Sequence, residues 1–244
     1  MSSFQKNSRI ALMQSGNQCA FTDCTNTLSK KEGSEQISLG EVAHIKGDKL
    51  GSARYDSAMS QDQRNSADNL IVLCGYHHKM IDDAPENFTE GILQEMKKVH
   101  KVKVENSLIN SLPQVSFAEL DVITRHIVSS SEGSSDGFDI TSVEKKIEKN
   151  NLSNGVRALI LAGFSRITLV RSFIEKDLYP NYGERLKQGF LDKYTELVAE
   201  DFSGDDIFNQ LLFFACRDTT KSNELAAGLV VIAYFFESCD IFEK

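Results

Sequence analysis

Between residues 39 and 45 apolar and polar side chains alternate (LGEVAHI), the period of a half-buried strand, and residues 70–73 (LIVL) are an unbroken apolar run suited to a fully buried one. The stretch between them, residues 51–67, is polar and contains Arg54 and Arg64. After the second run the pattern predicts a turn at Gly75 and a helix from near His77. Phe88, Ile92, Leu93, Met96, Val99 and His100 then recur at helical spacing, with Gly91 near the start. Ahead of the first strand, Ile10 to Met13 are apolar and Gly16 follows, which predicts a short helix over residues 8–15. Residues 19–51 are rich in turn formers apart from the alternating segment. One compact unit is expected to end near residue 110.

The second half reads differently. Apolar residues recur at intervals of three and four, as in Phe190, Tyr194, Leu197 and Val198, and predict helices over residues 143–164, 169–177, 183–200, 205–216 and 222–242. Residues 129–137 (SSSEGSSDG) lack any apolar anchor and read as a linker. The expected organisation is therefore a domain over 1–110, a connecting segment over 111–140 and a helical domain over 141–244. The run 225–236 is the most apolar of all, yet shorter than the ~18 to 20 residues needed to span a bilayer. It must be buried either in its own domain or against another chain. The polar start MSSFQKNSRI is unlike a signal peptide, so a cytoplasmic protein with no membrane partner is expected. No internal repeat is visible.

Composition adds little except through charge and cysteine. A chain of 244 residues with 41% apolar residues can bury one or two cores. The net charge of -8 is unevenly spread: residues 1–110 carry 13 basic and 14 acidic side chains, residues 111–244 carry 14 and 21. A near-neutral first domain can hold phosphate through a local cluster and a bound cation, although it is no strong nonspecific DNA binder by charge alone. Three of the five cysteines lie in the first third of the chain, a distribution that favours metal binding over a disulfide framework.

Cys19-x4-Cys24 and Cys74-x2-His77 are two pairs of ligands, each short enough to chelate from a tight turn, and three thiolates with one imidazole make a tetrahedral structural zinc set. The alternative is that the three cysteines are simply buried apolar residues. Cys216 and Cys239 lack partners at useful spacing and read as core residues. Adjacent side chains point in different directions, so His77 and the neighbouring His78 are expected to face two different sites.

His44 in GEVAHIKG, Asn69 in DNLIVLCGYHHKMID and His78 in the same segment, interleaved with the zinc pairs, resemble the HNH endonucleases of the ββα-metal fold. The resemblance runs from RIALMQSGNQCAFTDC to ILQEMKKVH, about residues 8–101. It implies an α+β first domain with structural Zn²⁺ and a catalytic Mg²⁺ or Mn²⁺. His44 would be the general base that takes a proton from the attacking water, a task suited to an imidazole with a pKa near ~6.5. His78 would hold the catalytic ion, and Asn69 would orient the hairpin and the base, or reach the ion. Asp82, four residues after His78 on the same helical face, could add an oxygen ligand. Many relatives carry an acidic residue or histidine just before the base. Here that position is Ala43, so Asp82, Glu41, water or DNA must complete the ion's shell. Arg54 and Arg64 are candidate phosphate contacts; His100 reads as structural, and His126 has no partner that the sequence reveals.

KIEKNNLSNGVR and AAGLVVIAYFFESCDIFEK, within about residues 140–244, resemble the C-terminal domain of effector subunits in ABC three-component (Lamassu-like) bacterial defence systems. That resemblance implies a nuclease effector that acts on double-stranded DNA, with an SMC-like ATPase and an accessory subunit as partners and a homo-oligomer as a possible form. Two other readings stay open from sequence: a noncatalytic zinc-stabilised adaptor that binds DNA or assembles a complex, and a stand-alone restriction-like nuclease.

Overall fold

Helix α1 (Ser3–Gln14) buries Ile10 and Ala11, the apolar positions that predict it, and begins earlier than the pattern suggests. It ends where Gly16 and Asn17 take left-handed conformations (φ 56° and 59°), which turns the chain back toward Cys19. The computed structural model describes residues 3–32, 35–129, 143–177, 181–216, 221–238 and 241–242, and the chain divides into two compact units, Met1–Val104 and Glu105–Lys244.

In the first unit β1 (Ser29–Glu32) pairs with β2 (Glu35–Ser38) as an antiparallel hairpin. The sequences SKKE and EQIS have no apolar alternation, which is why this hairpin is invisible to a hydrophobic pattern. The alternating segment and the apolar run form β3 (Gly40–His44) and β4 (Leu70–Cys74), antiparallel and in register from Gly40 opposite Cys74 to His44 opposite Leu70. The connection between them carries a single helical turn, α2 (Gln61–Arg64), closed at its start by a reciprocal capping box between Ser60 and Gln63. β4 passes directly into α3 (Gly75–Asp83), with Cys74 at the N-cap, and α4 (Glu90–Ser111) follows. β3, β4 and α3 make the ββα unit, and its core lies among Ile45, Leu70, Leu73, Ile81 and Leu93, all wholly shielded.

The second unit is all helical among the described residues. α5 (Phe117–Ser129) lies within residues 111–140, where the sequence reading placed a connecting segment. Its buried Leu120, Ile123 and Ile127 recur at three and four, so an amphipathic helix occupies 13 residues of that span. Ser129 is its last residue; the rest of the expected linker and Cys239 fall outside the described residues.

The single helix expected over 143–164 is two, α6 (Val143–Lys149) and α7 (Asn154–Phe164). The break has a local cause. Asn151 takes φ 51°, a left-handed conformation that asparagine tolerates, and Ser153 caps the new helix by accepting from the Val156 amide. α8 (Ile167–Lys176), α9 (Tyr182–Ala199), α10 (Gly204–Cys216) and α11 (Ser222–Glu237) complete the unit.

The apolar run forms most of α11, and α5, α7, α8 and α10 pack around it, so it is the core of its own unit and not a face kept for another chain. Gly163 lets α7 approach closely, since a Cβ there would lie 2.7 Å from that of Ala233. Cys216 is buried, as expected of a core thiol. The C-terminal end of α11 is held by the buried Lys146, whose Nζ donates to Phe236 O and Ile241 O at 2.9 and 2.8 Å over the Phe236 ring.

Candidate metal centre and active site

The loop after α1 is shaped to bring two cysteines together. Cys19 N donates to Asn26 O, Cys24 N donates to Phe21 O, and Asp23 takes φ 60°, so residues 19–26 close into a knuckle. Ala20 N donates to Val72 O at 3.0 Å and fixes that knuckle on β4. The N-cap of α3 supplies the other pair, because Cys74 and His77 are separated by nearly one helical turn.

The ligand atoms of Cys19, Cys24, Cys74 and His77 all lie within 4.8 Å of one another, the one such group of three or more among the described residues. His77 Nδ1 is 3.5 Å from Cys19 Sγ and 3.2 Å from Cys74 Sγ. A tetrahedral site with Zn–S bonds of about 2.3 Å and Zn–N bonds of about 2.1 Å has S···N edges of about 3.5 Å. The four side chains therefore fit a metal ion of zinc's size and could hold one.

The surroundings prepare those donors. The Phe21 ring stacks on His77 at 3.9 Å, nearly parallel, and burial pushes the imidazole below its ordinary value, so it is neutral and able to ligate. Burial pushes the Cys19 thiol up to about 12, although it receives the Cys74 N–H at 3.2 Å. Burial also acts to raise Cys74, but the His77 N–H, the Asn26 amide and the neighbouring cysteines outweigh it and bring this thiol below its ordinary value. The surroundings thus push Cys19 and Cys74 in opposite directions, and three thiolates together call for a cation.

His78 points away from this knot. Its Nδ1 lies 2.5 Å from Glu41 Oε2 and its Nε2 3.4 Å from Asp82 Oδ2, so the ring is clamped between two carboxylates. Glu41 can come this close because α3 opens on a glycine: a Cβ on Gly75 would sit 3.1 Å from Glu41 Oε1. Adjacent ligands of an octahedral ion with bonds of about 2.1 Å lie about 3.0 Å apart, so the His78 and Asp82 atoms fit one divalent ion after a small closure.

His44 shares a cavity of about 210 Å³ with His78, Asp82, Val42, Lys49 and the loop around Gly47 and Ser52. Its ring stacks on Phe4, and its Nε2 is buried with no hydrogen-bond partner. An orphaned buried ring nitrogen is costly and marks a group that needs a partner from outside the chain.

Asn69 is not in the cavity. Its amide accepts from Lys46 N at 2.9 Å and donates to Lys46 O and Arg64 O at 2.9 and 2.8 Å. It fixes the backbone of Lys46, two residues after His44. Ala43, opposite Ile71 and buried, offers the cavity no ligand.

The two arginines depart from expectation. Arg54 is turned inward and donates to Ile45 O, Ile81 O and Asp82 Oδ1. Arg64 is buried, lies 4.7 Å over the Tyr55 ring and donates to Tyr55 Oη and Asp56 O. Neither presents its guanidinium for phosphate: Arg54 ties the polar loop to the carbonyls of Ile45 and Ile81 outside it, and Arg64 holds Asp56 O within it.

The exposed cation on the cavity is Lys49, which sequence reasoning passed over. Its position five residues after His44, between Gly47 and Gly51, is the signal that could have found it. His100 is structural, with Nε2 against Ser15 O at 2.9 Å, and His126 Nε2 meets Phe214 O at 3.0 Å.

The ββα unit, with its three-cysteine, one-histidine knot and histidine-lined cavity, is one module of the chain, and the helical unit is a second. A family model for the HNH endonuclease matches residues 19–84. A second, C-terminal domain 10 of the ABC-three component (ABC-3C) systems, matches residues 118–243, more than half of the chain. The chain belongs to that ABC-3C family and carries an HNH endonuclease domain in front of its C-terminal domain. No curated protein matches it.

Proposed function

We propose that this chain is a metal-dependent DNA endonuclease, the nuclease effector of an ABC-3C antiphage defence system whose SMC-like ATPase controls it. The observation that supports catalysis most directly is the shared cavity, where the unpartnered His44 faces the same space as His78 and Asp82. His44 takes the proton from the water that attacks the phosphodiester. Glu41 accepts from the Nδ1–H of His78, which sets the tautomer and leaves Nε2 to bind the divalent ion beside Asp82. A Mg²⁺ or Mn²⁺ ion held by these two residues supplies charge neutralisation at the scissile phosphate and the departing oxygen. Lys49 takes the phosphate-facing role that the sequence suggested for Arg54 and Arg64. Zinc in the four-ligand knot holds the loop of residues 19–26 on the β4–α3 junction and so fixes the helix that bears His78.

Ala43 favours one competing reading, a noncatalytic adaptor with a zinc knot, because a metal-binding side chain common at that position is missing. Plasmid cleavage separates the two. The purified chain with Mg²⁺ or Mn²⁺, alone and with an SMC-like ATPase of the proposed system, should nick or linearise DNA, and His44→Ala should slow this about 10²- to 10⁴-fold with zinc content unchanged. Equal cutting by the variant removes His44 from the mechanism. No cutting by the parent, even with the ATPase present, supports the adaptor.

A further inference from the structure

Arg54 makes an unusual set of bonds for a residue in a polar loop. Its Nε donates to Ile45 O at 2.7 Å, Nη1 to Ile81 O at 2.6 Å and Nη2 to Asp82 Oδ1 at 2.9 Å. The side chain is only 7% exposed, while the Asp82 carboxylate that it holds is 46% exposed. The backbone at Arg54 takes φ 57°, a conformation that costs any residue with a Cβ and is retained where the side chain compensates. Ile45 directly follows His44, and Ile81 and Asp82 belong to the last turn of the helix that carries His78. One guanidinium therefore joins the end of β3 to the end of α3, the two elements that bring His44, His78 and Asp82 to the cavity.

The consequence falls on Asp82. An exposed aspartate at a helix end samples several rotamers, and a carboxylate that must leave one oxygen toward a cation loses affinity for every rotamer that faces elsewhere. Arg54 occupies Oδ1, so Oδ2 is the oxygen directed to His78 Nε2. A planar fork with donors on three nitrogens can reach two carbonyls and a carboxylate at once, whereas a lysine ammonium on a flexible stem cannot hold that geometry.

We infer that Arg54 is the positioning residue of the divalent-cation site, orienting Asp82 for the ion and setting its distance from His44. This rests on the proposed nuclease reading, in which His78 and Asp82 bind the cation. It gives Arg54 no contact with DNA.

The test is Mn²⁺ binding to the zinc-loaded full chain, followed by the electron paramagnetic resonance signal of free Mn²⁺, with thermal melting recorded in parallel. Asp82→Asn and Arg54→Ala should each weaken Mn²⁺ binding about tenfold or more, the range seen when groups that orient a metal ligand are removed. The double variant should bind no more weakly than Asp82→Asn alone, because Arg54 acts through Asp82. Arg54→Lys, which keeps the charge without the fork, should also bind more weakly than the parent. Without Mn²⁺, Arg54→Ala should bind a short DNA duplex as the parent does.

Parent-like Mn²⁺ affinity in Arg54→Ala and Arg54→Lys, with only the melting temperature lowered, would show a purely structural role and overturn the inference. Losses that multiply in the double variant, or a loss of duplex binding without Mn²⁺, would overturn it as well. If His78→Ala instead binds Mn²⁺ like the parent, the cation site itself is misplaced, and it is the nuclease reading that falls.

Discussion

The two units of this protein solve the same problem, shielding enough apolar surface, by different means. In the second unit α11 is enclosed on nearly all sides, and Phe190, Phe208 and Phe236 are wholly shielded. In the first unit no phenylalanine among the described residues is fully buried: Phe4 is exposed, and Phe21 and Phe88 lie at the edge of the core. Its core is a thin layer of aliphatic residues continuous with the three cysteines, and its loops are tied by Asn69, Arg54 and Arg64. A unit of this kind draws order from polar bonds and from any ion its four clustered ligands hold, both of which can be placed close to a cavity without filling it. A unit built on an apolar helix is stable without any ligand and offers its exterior for other tasks.

The largest effect should come from breaking the knot. Cys74→Ser should abolish tight zinc binding, measured by elemental analysis, and remove the first unit's unfolding transition while the second unit's transition persists, because a structural zinc site contributes folding energy outright. A first unit that melts at the parent's temperature without zinc would overturn this contrast. The converse change is Leu229→Ala in α11, at a wholly shielded position. It should cost the second unit about 2–5 kcal/mol in denaturant unfolding and leave zinc content intact.

Smaller changes sharpen the comparison. Ser153→Ala removes the cap where the expected single helix divides, and should cost about 1 kcal/mol, visible only in the second unit's transition. The smallest effect concerns acid. Burial holds His100 below the ordinary value of 6.5, so the unfolded chain takes up its proton first as the pH falls. The first unit's stability is complete above that value and declines as the pH drops below it toward the lowered folded value. Melting of the zinc-loaded chain from about pH 8 to about pH 5.5 should show a shallower acid slope in His100→Gln than in the parent. Identical slopes would remove His100 from the acid response. Some slope should remain in the variant, because protons compete with zinc for His77 and the cysteines.

Much of the site was legible because its signals are local or chemically narrow. Cys19, Cys24, Cys74 and His77 are rare residue types at chelating intervals, and His78 had to face elsewhere because neighbouring helical side chains diverge. What the pattern missed had a weak local signal. SKKE and EQIS lack apolar alternation, and α5 was hidden beside a low-complexity stretch.

By itself, then, the sequence determined the ββα order, the metal-ligand pairs, the helical second half and the family of each part, since all of these follow from spacing and periodicity along the chain. The tertiary structure alone decided how the long polar side chains are used. Glu41 and Asp82 flank His78, and Arg54 turns inward to Ile81 and Asp82 instead of outward to phosphate. The physical reason is reach. A guanidinium or carboxylate takes whichever partners folding brings within hydrogen-bond distance, and for Arg54 two of these lie 27 and 28 residues away. The same holds for α11: its composition required burial, and only the packing of α5, α7, α8 and α10 showed that its own unit provides it.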